Sequence, residues 1–256
     1  EITGDAAISA PAGSSMTFYS YQTGGKNYTH YLAPGVGLAN DGGKTITMIG
    51  KSTISSESYY GIYNVNGGKI TTIGAATISS GNSYALFNSG GTITTIDGTT
   101  LKGAYGIWNR NIRKSSPTDG TQRTNSYSGT IGIIKDATVE AKWNYALRNA
   151  GTIQKISGAT EMRCTSTASD RYVVYNENGF YQDNSISKRT ETTEKKYTRV
   201  DEYNAPYPTI ELITDQVQIS SEKGRASITP ARLPRSMAVS RSARRTWPCM
   251  LKAAVW

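Results

Sequence analysis

The sequence is poor in several residue types on which common folds and sites depend. Its 256 residues include only 3 Phe, 2 Cys and 1 His, and no apolar run approaches the roughly 20 residues of a membrane-spanning helix. Scarce Phe argues against a sandwich core packed with aromatic rings. The two cysteines, Cys164 and Cys249, lie far apart without metal-site spacing, so we predict neither a disulfide framework nor a metal site nor a cofactor.

Net positive charge is small over most of the chain and concentrated at its C-terminal end. Residues 223–256 contain six Arg, two Lys and no acidic residue, whereas residues 1–222 contain 20 basic and 19 acidic residues. We interpret 223–256 as a disordered basic tail, either a native arm suited to polyanions or an out-of-frame segment. Because the body is nearly neutral, we expect no specific nucleic-acid partner, and the absence of long apolar runs predicts no transmembrane segment.

What the sequence does have is an internal repeat. Two aliphatic residues three positions apart recur in five copies, and the first of them recurs after 24, 23, 38 and 22 residues. Each copy continues with a Tyr-x-aliphatic-x-Asn segment. These five segments begin at Tyr60, Tyr84, Tyr105, Tyr145 and Tyr172. Self-similarity at a period of 20–50 residues is typical of solenoids and other stacked repeats.

Each copy consists of three short β-like pieces separated by Gly, Ser and Asn turns, and none shows helical periodicity. One copy has too few apolar residues to fold alone, so equivalent pieces of successive copies must stack into parallel sheets. We predict an all-β chain, a single-stranded parallel β-helix (β-solenoid) with coils of about 22–24 residues. It occupies 1–222, with clear coils over about 37–179, partial coils at both ends and polar loop insertions at about 110–128 and 180–208.

The aligned positions become ladders in this architecture. The two Ile positions and the aliphatic residue of the Tyr-x-aliphatic-x-Asn segment should point inward. A Thr row should point outward. Its members are Thr53, Thr77, Thr100, Thr138 and Thr160. The Asn row should sit at a turn, where each side-chain amide can bond its equivalent in the next coil. Its members are Asn64, Asn88, Asn109, Asn149 and Asn176.

The outward neighbour of the third inward aliphatic residue gives the only candidate site. Its five members are Tyr63, Phe87, Trp108, Arg148 and Tyr175. Small residues two positions earlier, such as Gly61 and Gly106, are expected to leave room beside this ladder. A row of flat rings can receive sugar-ring faces, with Arg148 bonding an acidic sugar. Alternatively, the rings stack only to stabilise the sheet, beneath the inserted loops.

The segment Gly90–Asn109 resembles repeats of large adhesin-like surface proteins of bacteria, particularly gut commensals. Those repeats are in turn similar to the right-handed parallel β-helix (pectin-lyase-like) superfamily. The resemblance covers roughly 37–179, and it implies a right-handed coil in a secreted or cell-surface setting. We therefore expect a non-catalytic extracellular module, an adhesin or stalk segment of a longer surface protein, that displays loops and binds glycans or host-surface polymers along the outward ladder.

An alternative function is a carbohydrate-active β-helix enzyme, a polysaccharide lyase or glycoside hydrolase, in a degenerate form. A hydrolase needs paired carboxylates about 5–10 Å apart. The acidic residues of the repeats do not recur at one coil position, and only Asp136 and Glu140 share a coil in which they could face a cleft. His30 is the only histidine, which argues against a Ser-His-Asp triad. We therefore predict no catalytic residues.

Overall fold

The computed structural model of the chain describes residues 1–11, 18–23, 26–31, 35–118, 121–166, 172–177, 180–183, 197–200, 208–214, 216–222 and 225–228. Within these residues every regular element is a β-strand, as the sequence predicts. Most strands belong to three parallel sheets whose members are spaced by one repeat along the chain. The predicted parallel β-helix is therefore confirmed.

Each sheet collects one strand from successive windings. Sheet 1 comprises β5 (Thr45–Ile49), β8 (Lys69–Gly74), β11 (Thr92–Asp97), β16 (Thr130–Lys135), β19 (Thr152–Ser157) and β24 (Thr209–Ile213). Sheet 2 comprises β1 (Ala6–Ala10), β6 (Ser52–Ser56), β9 (Thr77–Ser80), β12 (Thr100–Gly103), β17 (Thr138–Ala141), β20 (Glu161–Cys164) and β25 (Gln218–Ser221). Sheet 3 comprises β4 (Leu38–Asp41), β7 (Ile62–Val65), β10 (Tyr84–Ser89), β13 (Tyr105–Arg110), β18 (Leu147–Ala150), β21 (Tyr172–Asn176) and β26 (Arg225–Ile228).

The described strands form seven windings, two more than the five copies of the sequence repeat. Ile70 pairs with Ile93 on adjacent strands of sheet 1, so equivalent residues of successive repeats lie directly over one another. Further strands extend the sheets at both ends of the repeat region. The N-terminal strand β1 pairs with β6, and the segment that begins at Ile210 adds a strand to sheet 1 opposite Ile153.

The core of the solenoid is made of stacked aliphatic side chains. Ile70, Ile93 and Ile131 of the first inward ladder are at most 1% exposed, and Ile73 and Ile96 of the second are fully buried. The third ladder, through Leu86 and Ile107 in sheet 3, is fully buried as well. Identical branched side chains stack well because the same rotamer repeats at each strand spacing of about 4.8 Å.

The asparagine row forms a continuous hydrogen-bonded ladder inside one turn of the solenoid. The Asn64 amide donates to Asn88 Oδ1 at 2.7 Å, and the Asn88 amide donates to Asn109 Oδ1 at 2.7 Å. The row begins one winding earlier than predicted, at Asn40, and the Asn176 amide ends it by donating to Pro208 O. Because Asn64, Asn88 and Asn109 are fully buried, these bonds satisfy polar groups that water cannot reach. The predicted structural role is confirmed.

One member of the predicted threonine row is wrong. Thr53, Thr77, Thr100 and Thr138 lie in register on sheet 2, but Thr138 pairs with Glu161 rather than with Thr160. One extra residue in the preceding corner, where Gly158 has φ of 63°, shifts Thr160 by one position. Thr160 is fully buried there, and its hydroxyl donates to Ser157 O at 2.7 Å.

The insertions also contain strands. The first holds β14 (Ile112–Thr118) and β15 (Thr121–Tyr127), and the second holds β22 (Phe180–Asp183) and β23 (Tyr197–Val200). They join one another, since β14 pairs in parallel with β22. Near the N-terminus, β2 (Phe18–Thr23) and β3 (Lys26–Tyr31), which contains His30, form a separate hairpin.

Pairing in sheet 3 continues past the boundary placed at residue 222, because β26 pairs with β21. The rest of the predicted tail, including Cys249, lies outside the described residues.

Candidate functional site

The five ladder residues lie in register on consecutive strands of sheet 3. Phe87 pairs with Tyr63 on one side and with Trp108 on the other, Trp108 pairs with Arg148, and Arg148 pairs with Tyr175. The Tyr63 and Phe87 rings are stacked with centroids 5.4 Å apart, and Phe87 and Trp108 meet edge to face at 5.1 Å. The structure therefore brings all five residues together along one face of the solenoid.

The ladder is less exposed than the sequence suggested. Phe87 is only 2% exposed, whereas Tyr63, Trp108, Arg148 and Tyr175 are half-buried. A ring that is covered in this way has no face to offer a ligand. Phe87 therefore stabilises the sheet, and only the other four members of the ladder keep part of their surface exposed.

Burial arises from a second aromatic column that the sequence analysis assigned no role. It consists of the first residue of each Tyr-x-aliphatic-x-Asn segment, namely Tyr60, Tyr84, Tyr105, Tyr145 and Tyr172. The sequence did contain a signal for this column, because tyrosine occupies the position in all five copies. The prediction followed strict alternation along the strand and so considered only the outward position three residues later.

The second column packs against the first, one winding further along. Tyr60 stacks on Phe87 at 4.4 Å, and Tyr84 lies 5.1 Å from Trp108. Tyr145 stacks on Tyr175 at 5.3 Å. Aromatic pairs at such distances add roughly 0.5–1.5 kcal/mol beyond their area burial. The two columns together form what we call the aromatic face, whose ten residues are Tyr60, Tyr63, Tyr84, Phe87, Tyr105, Trp108, Tyr145, Arg148, Tyr172 and Tyr175.

Two buried charged residues adjoin the aromatic face and were also missed. Arg110 is 1% exposed, donates from Nε to Ser89 Oγ at 2.9 Å, and places its guanidinium 4.6 Å from the Trp108 ring. Glu177, 5% exposed, accepts from Arg148 Nε at 2.7 Å and from Nη2 at 3.0 Å. Neither type recurs at its position in other repeats, so periodicity gave no signal for them.

The Arg148–Glu177 pair changes the role expected of Arg148. Its side chain forms a two-point ion pair, stacks 4.4 Å above the Trp108 ring, and directs Nη1 toward the Tyr84 hydroxyl at 3.5 Å. Two-point arginine–carboxylate pairs are strong and directional, and this one neutralises the guanidinium charge. An acidic sugar would have to displace Glu177 before it could bond Arg148.

The small residues two positions before the ladder do not make room beside the rings. A Cβ at Gly61 would stand 2.8 Å from Ile78 Cγ2, and Ala85 and Ala146 are fully buried members of the core. These positions therefore face the interior, where sheet 2 meets sheet 3. The sequence interpretation was wrong because consecutive residues are buried here, as Ala85 and Leu86 show, so strict inward–outward alternation does not hold.

Burial also affects the ionisation of two tyrosines on the aromatic face. It raises the pKa of Tyr84 to about 12, with the nearby Arg148 opposing the shift. Burial likewise raises the pKa of Tyr145, again opposed by Arg148. Both phenols are therefore neutral at physiological pH and serve as hydrogen-bond donors and acceptors rather than as anions.

The carboxylates considered for catalysis are engaged in local contacts. Asp136 accepts from Ala159 N at 2.7 Å and pairs with Lys135 at 3.3 Å; the Ala159 bond, followed by Lys135, lowers the pKa of the Asp136 carboxyl. Glu140 accepts from Arg163 Nε at 2.9 Å. Among the described residues, no group of three or more His, Cys, Asp or Glu could hold a metal ion, and no helix could span a membrane.

Comparisons with known protein families, curated proteins and solved structures give no match to this chain.

Proposed function

We propose that this chain is a non-catalytic segment of an extracellular bacterial surface protein, serving as a stalk or adhesin module. Support comes from the architecture, since each winding is stabilised by its neighbours and the stack forms a regular support for projecting elements. Both insertions leave sheet 3, after Arg110 and after Glu177, and their strands pair with each other. The resemblance of Gly90–Asn109 to adhesin-like repeats supports the same setting.

The proposed ligand of this module is a glycan that lies along the aromatic face. The observation that carries this proposal is the stack of half-exposed rings on successive windings, in which Tyr145 stacks on Tyr105 and on Tyr175. Aromatic rings present a flat apolar surface, and phenol hydroxyls at its margin can bond sugar hydroxyls. A linear polymer can then contact several windings at once.

A glycan array probed with the full chain tests this proposal. Tyr175→Ala is the informative variant because Tyr175 is half-buried and belongs to the aromatic face. Binding by the parent chain and weaker binding by Tyr175→Ala, measured at a temperature at which both chains are folded, would support it. Ile133→Ala is a matched control, since Ile133 is 36% exposed on sheet 1. Absence of binding to any arrayed glycan would overturn the glycan proposal.

The proposal includes the absence of catalysis. It is supported by the contacts of Asp136 and Glu140, whose carboxylates accept hydrogen bonds from Ala159 N and from Arg163. Incubation with lyase and hydrolase substrates should release neither unsaturated products nor reducing ends. Turnover that is lost in Glu140→Gln would contradict this part of the proposal.

A further inference from the structure

A more exposed aromatic cluster lies at the edge of the aromatic face, where the chain passes from sheet 2 to sheet 3. In three windings the turn between these sheets contains three residues, namely 57–59, 81–83 and 142–144. In the winding between the last two of these, the same turn contains only Ala104. The shortened turn leaves Tyr105 between two longer turns. Tyr84, which has its own full turn, is 6% exposed, whereas Tyr105 is half-buried.

The longer turn of the next winding places Trp143 beside Tyr105. The Trp143 backbone N–H donates to Ala104 O at 3.0 Å, so this turn lies directly over the short one. The two rings are perpendicular, at 88°, with centroids 6.0 Å apart. Trp143 is 44% exposed, the largest value among the exposed large hydrophobic side chains of the described residues. Together with Tyr145, 6.4 Å from Tyr105, these rings form an open corner.

The turn that carries Trp143 is held in place by a buried side chain. Asn144 is 7% exposed, and its Oδ1 accepts from Tyr145 N and from Tyr172 N, both at 3.0 Å. Tyr145 has φ of 50°, which turns the chain sharply into sheet 3. A ring presented by a fixed turn loses little conformational freedom on binding, which favours affinity.

The charges beside this corner are positive. Lys102 and Lys142 are exposed, and within the described part of the chain neither forms an ion pair. Lys142 N bonds Gly103 O at 2.8 Å, so the two lysines lie on adjacent windings with an offset of about two residues. Strand geometry then places their Cα atoms about 8 Å apart. Glu140 lies opposite Lys102 on the adjacent strand, but its carboxylate accepts a hydrogen bond from Arg163.

We infer that the corner formed by Tyr105, Trp143 and Tyr145 with Lys102 and Lys142 binds an acidic saccharide. A sugar ring lies on the indole of Trp143, and its carboxylate or sulfate faces the two ammonium groups. This inference rests on the proposed glycan-binding function and relocates acid recognition away from Arg148, which Glu177 neutralises.

The test is a titration of the full chain, followed by tryptophan fluorescence, with hyaluronan, dextran sulfate and unsulfated dextran oligosaccharides. The first two probes separate carboxylate from sulfate recognition, and the third is the neutral reference. Trp143→Ala should weaken acidic-probe binding about tenfold without changing the melting temperature, because the side chain is exposed. Trp143→Phe should retain part of the affinity. Replacing Lys102 and Lys142 by Gln should remove the preference for acidic probes and reduce the salt dependence of binding.

The outcomes separate this inference from the proposed function. If Trp143→Ala and the parent bind equally well while Tyr175→Ala does not, glycans bind the aromatic face elsewhere and the corner is overturned. Stronger binding of unsulfated dextran than of both acidic probes would overturn the acidic class. Acidic-probe binding that is lost only when arginines of the basic tail are changed to Gln would assign the binding to that tail and overturn the corner. The arginines to change are Arg232, Arg235, Arg241, Arg244 and Arg245. No binding to these probes or to any arrayed glycan would overturn both proposals.

Discussion

The side-chain amide of Asn88 donates to Oδ1 of Asn109 in the next winding at 2.7 Å, with both residues fully buried. Asn88 also accepts from the Asn64 amide and donates to Gly91 O. Each link is therefore shared between two windings. A ladder of this kind fixes the vertical register of the solenoid at one turn, because a shift by one residue would leave several buried polar groups without partners.

Asn88→Ala is expected to lower the free energy of unfolding by about 3 kcal/mol, since it removes the acceptor of the buried Asn64 amide and leaves the Oδ1 of Asn109 without its donor. Gly91 O keeps its bond from Thr130 N. Urea denaturation of the full chain measures this change. Asn82→Ala is the control, because Asn82 is exposed and makes one backbone contact, with Glu57 O. Equal destabilisation by the two substitutions would show that the ladder bonds contribute no more to stability than an exposed side-chain contact.

Alkaline pH should destabilise the fold through Tyr84. Burial raises the Tyr84 pKa to about 12 in the folded chain, against about 10 when unfolded. The folded state therefore keeps a proton that the unfolded state loses, and stability falls as pH rises above 10. The loss amounts to about 1 kcal/mol at pH 11.

Tyr84→Phe should remove this part of the alkaline loss while leaving stability near neutral pH almost unchanged, because the hydroxyl makes only a long contact with Arg148. Unfolding measured between pH 8 and pH 11 for both chains isolates the contribution of Tyr84, since the lysines and the other tyrosines titrate in both chains. Parallel curves for the two chains would contradict the prediction.

The features that repeat in the sequence were predictable, and the reason is physical. Stacking places each residue against its equivalent, so Ile70 meets Ile93 whatever lies between them. The insertion before Ile131 does not disturb this pairing, because inserted residues leave the coil at a turn and return to the same register. Asn88 was assigned correctly for the same reason.

Features that occur once were not predictable from periodicity. Arg110 and Glu177 follow the ladder residues by two positions, where other repeats carry Val65, Ser89 or Ala150. The burial of Phe87 depends on packing by Tyr60, which belongs to the winding before it. Such contacts arise between columns and windings, whereas an alignment of repeats compares positions only within a column.

Arg148→Ala should destabilise the chain by about 3 kcal/mol, because Glu177 is 5% exposed and would lose its two-point partner. The double variant Arg148→Ala with Glu177→Gln should recover part of that loss, since the remaining buried group is then uncharged. Thermal or urea unfolding of the single and double variants gives the coupling energy.

Arg163→Ala provides the comparison for this pair. The Arg163 side chain is 41% exposed and its partner Glu140 is 23% exposed, so the loss should stay below about 1 kcal/mol. A coupling energy for Arg148 and Glu177 as small as that of the exposed pair would show that burial does not strengthen the interaction.

Gly106→Ala tests the corrected orientation of the small residues beside the ladder. If these positions faced the aromatic surface, an added methyl group would meet open space and cost little. In the structure, a Cβ at Gly106 would stand 2.5 Å from Val139 Cγ1 and closer still to Ala146 O, so the backbone of adjacent windings must separate. Overpacking of this kind costs about 1–3 kcal/mol, and it should lower the urea midpoint accordingly. Gly74→Ala is the matched control, since its nearest contact would be Thr72 Cγ2 at 3.8 Å. A Gly106→Ala chain as stable as Gly74→Ala would place position 106 outside the core and restore the orientation first expected from strand alternation.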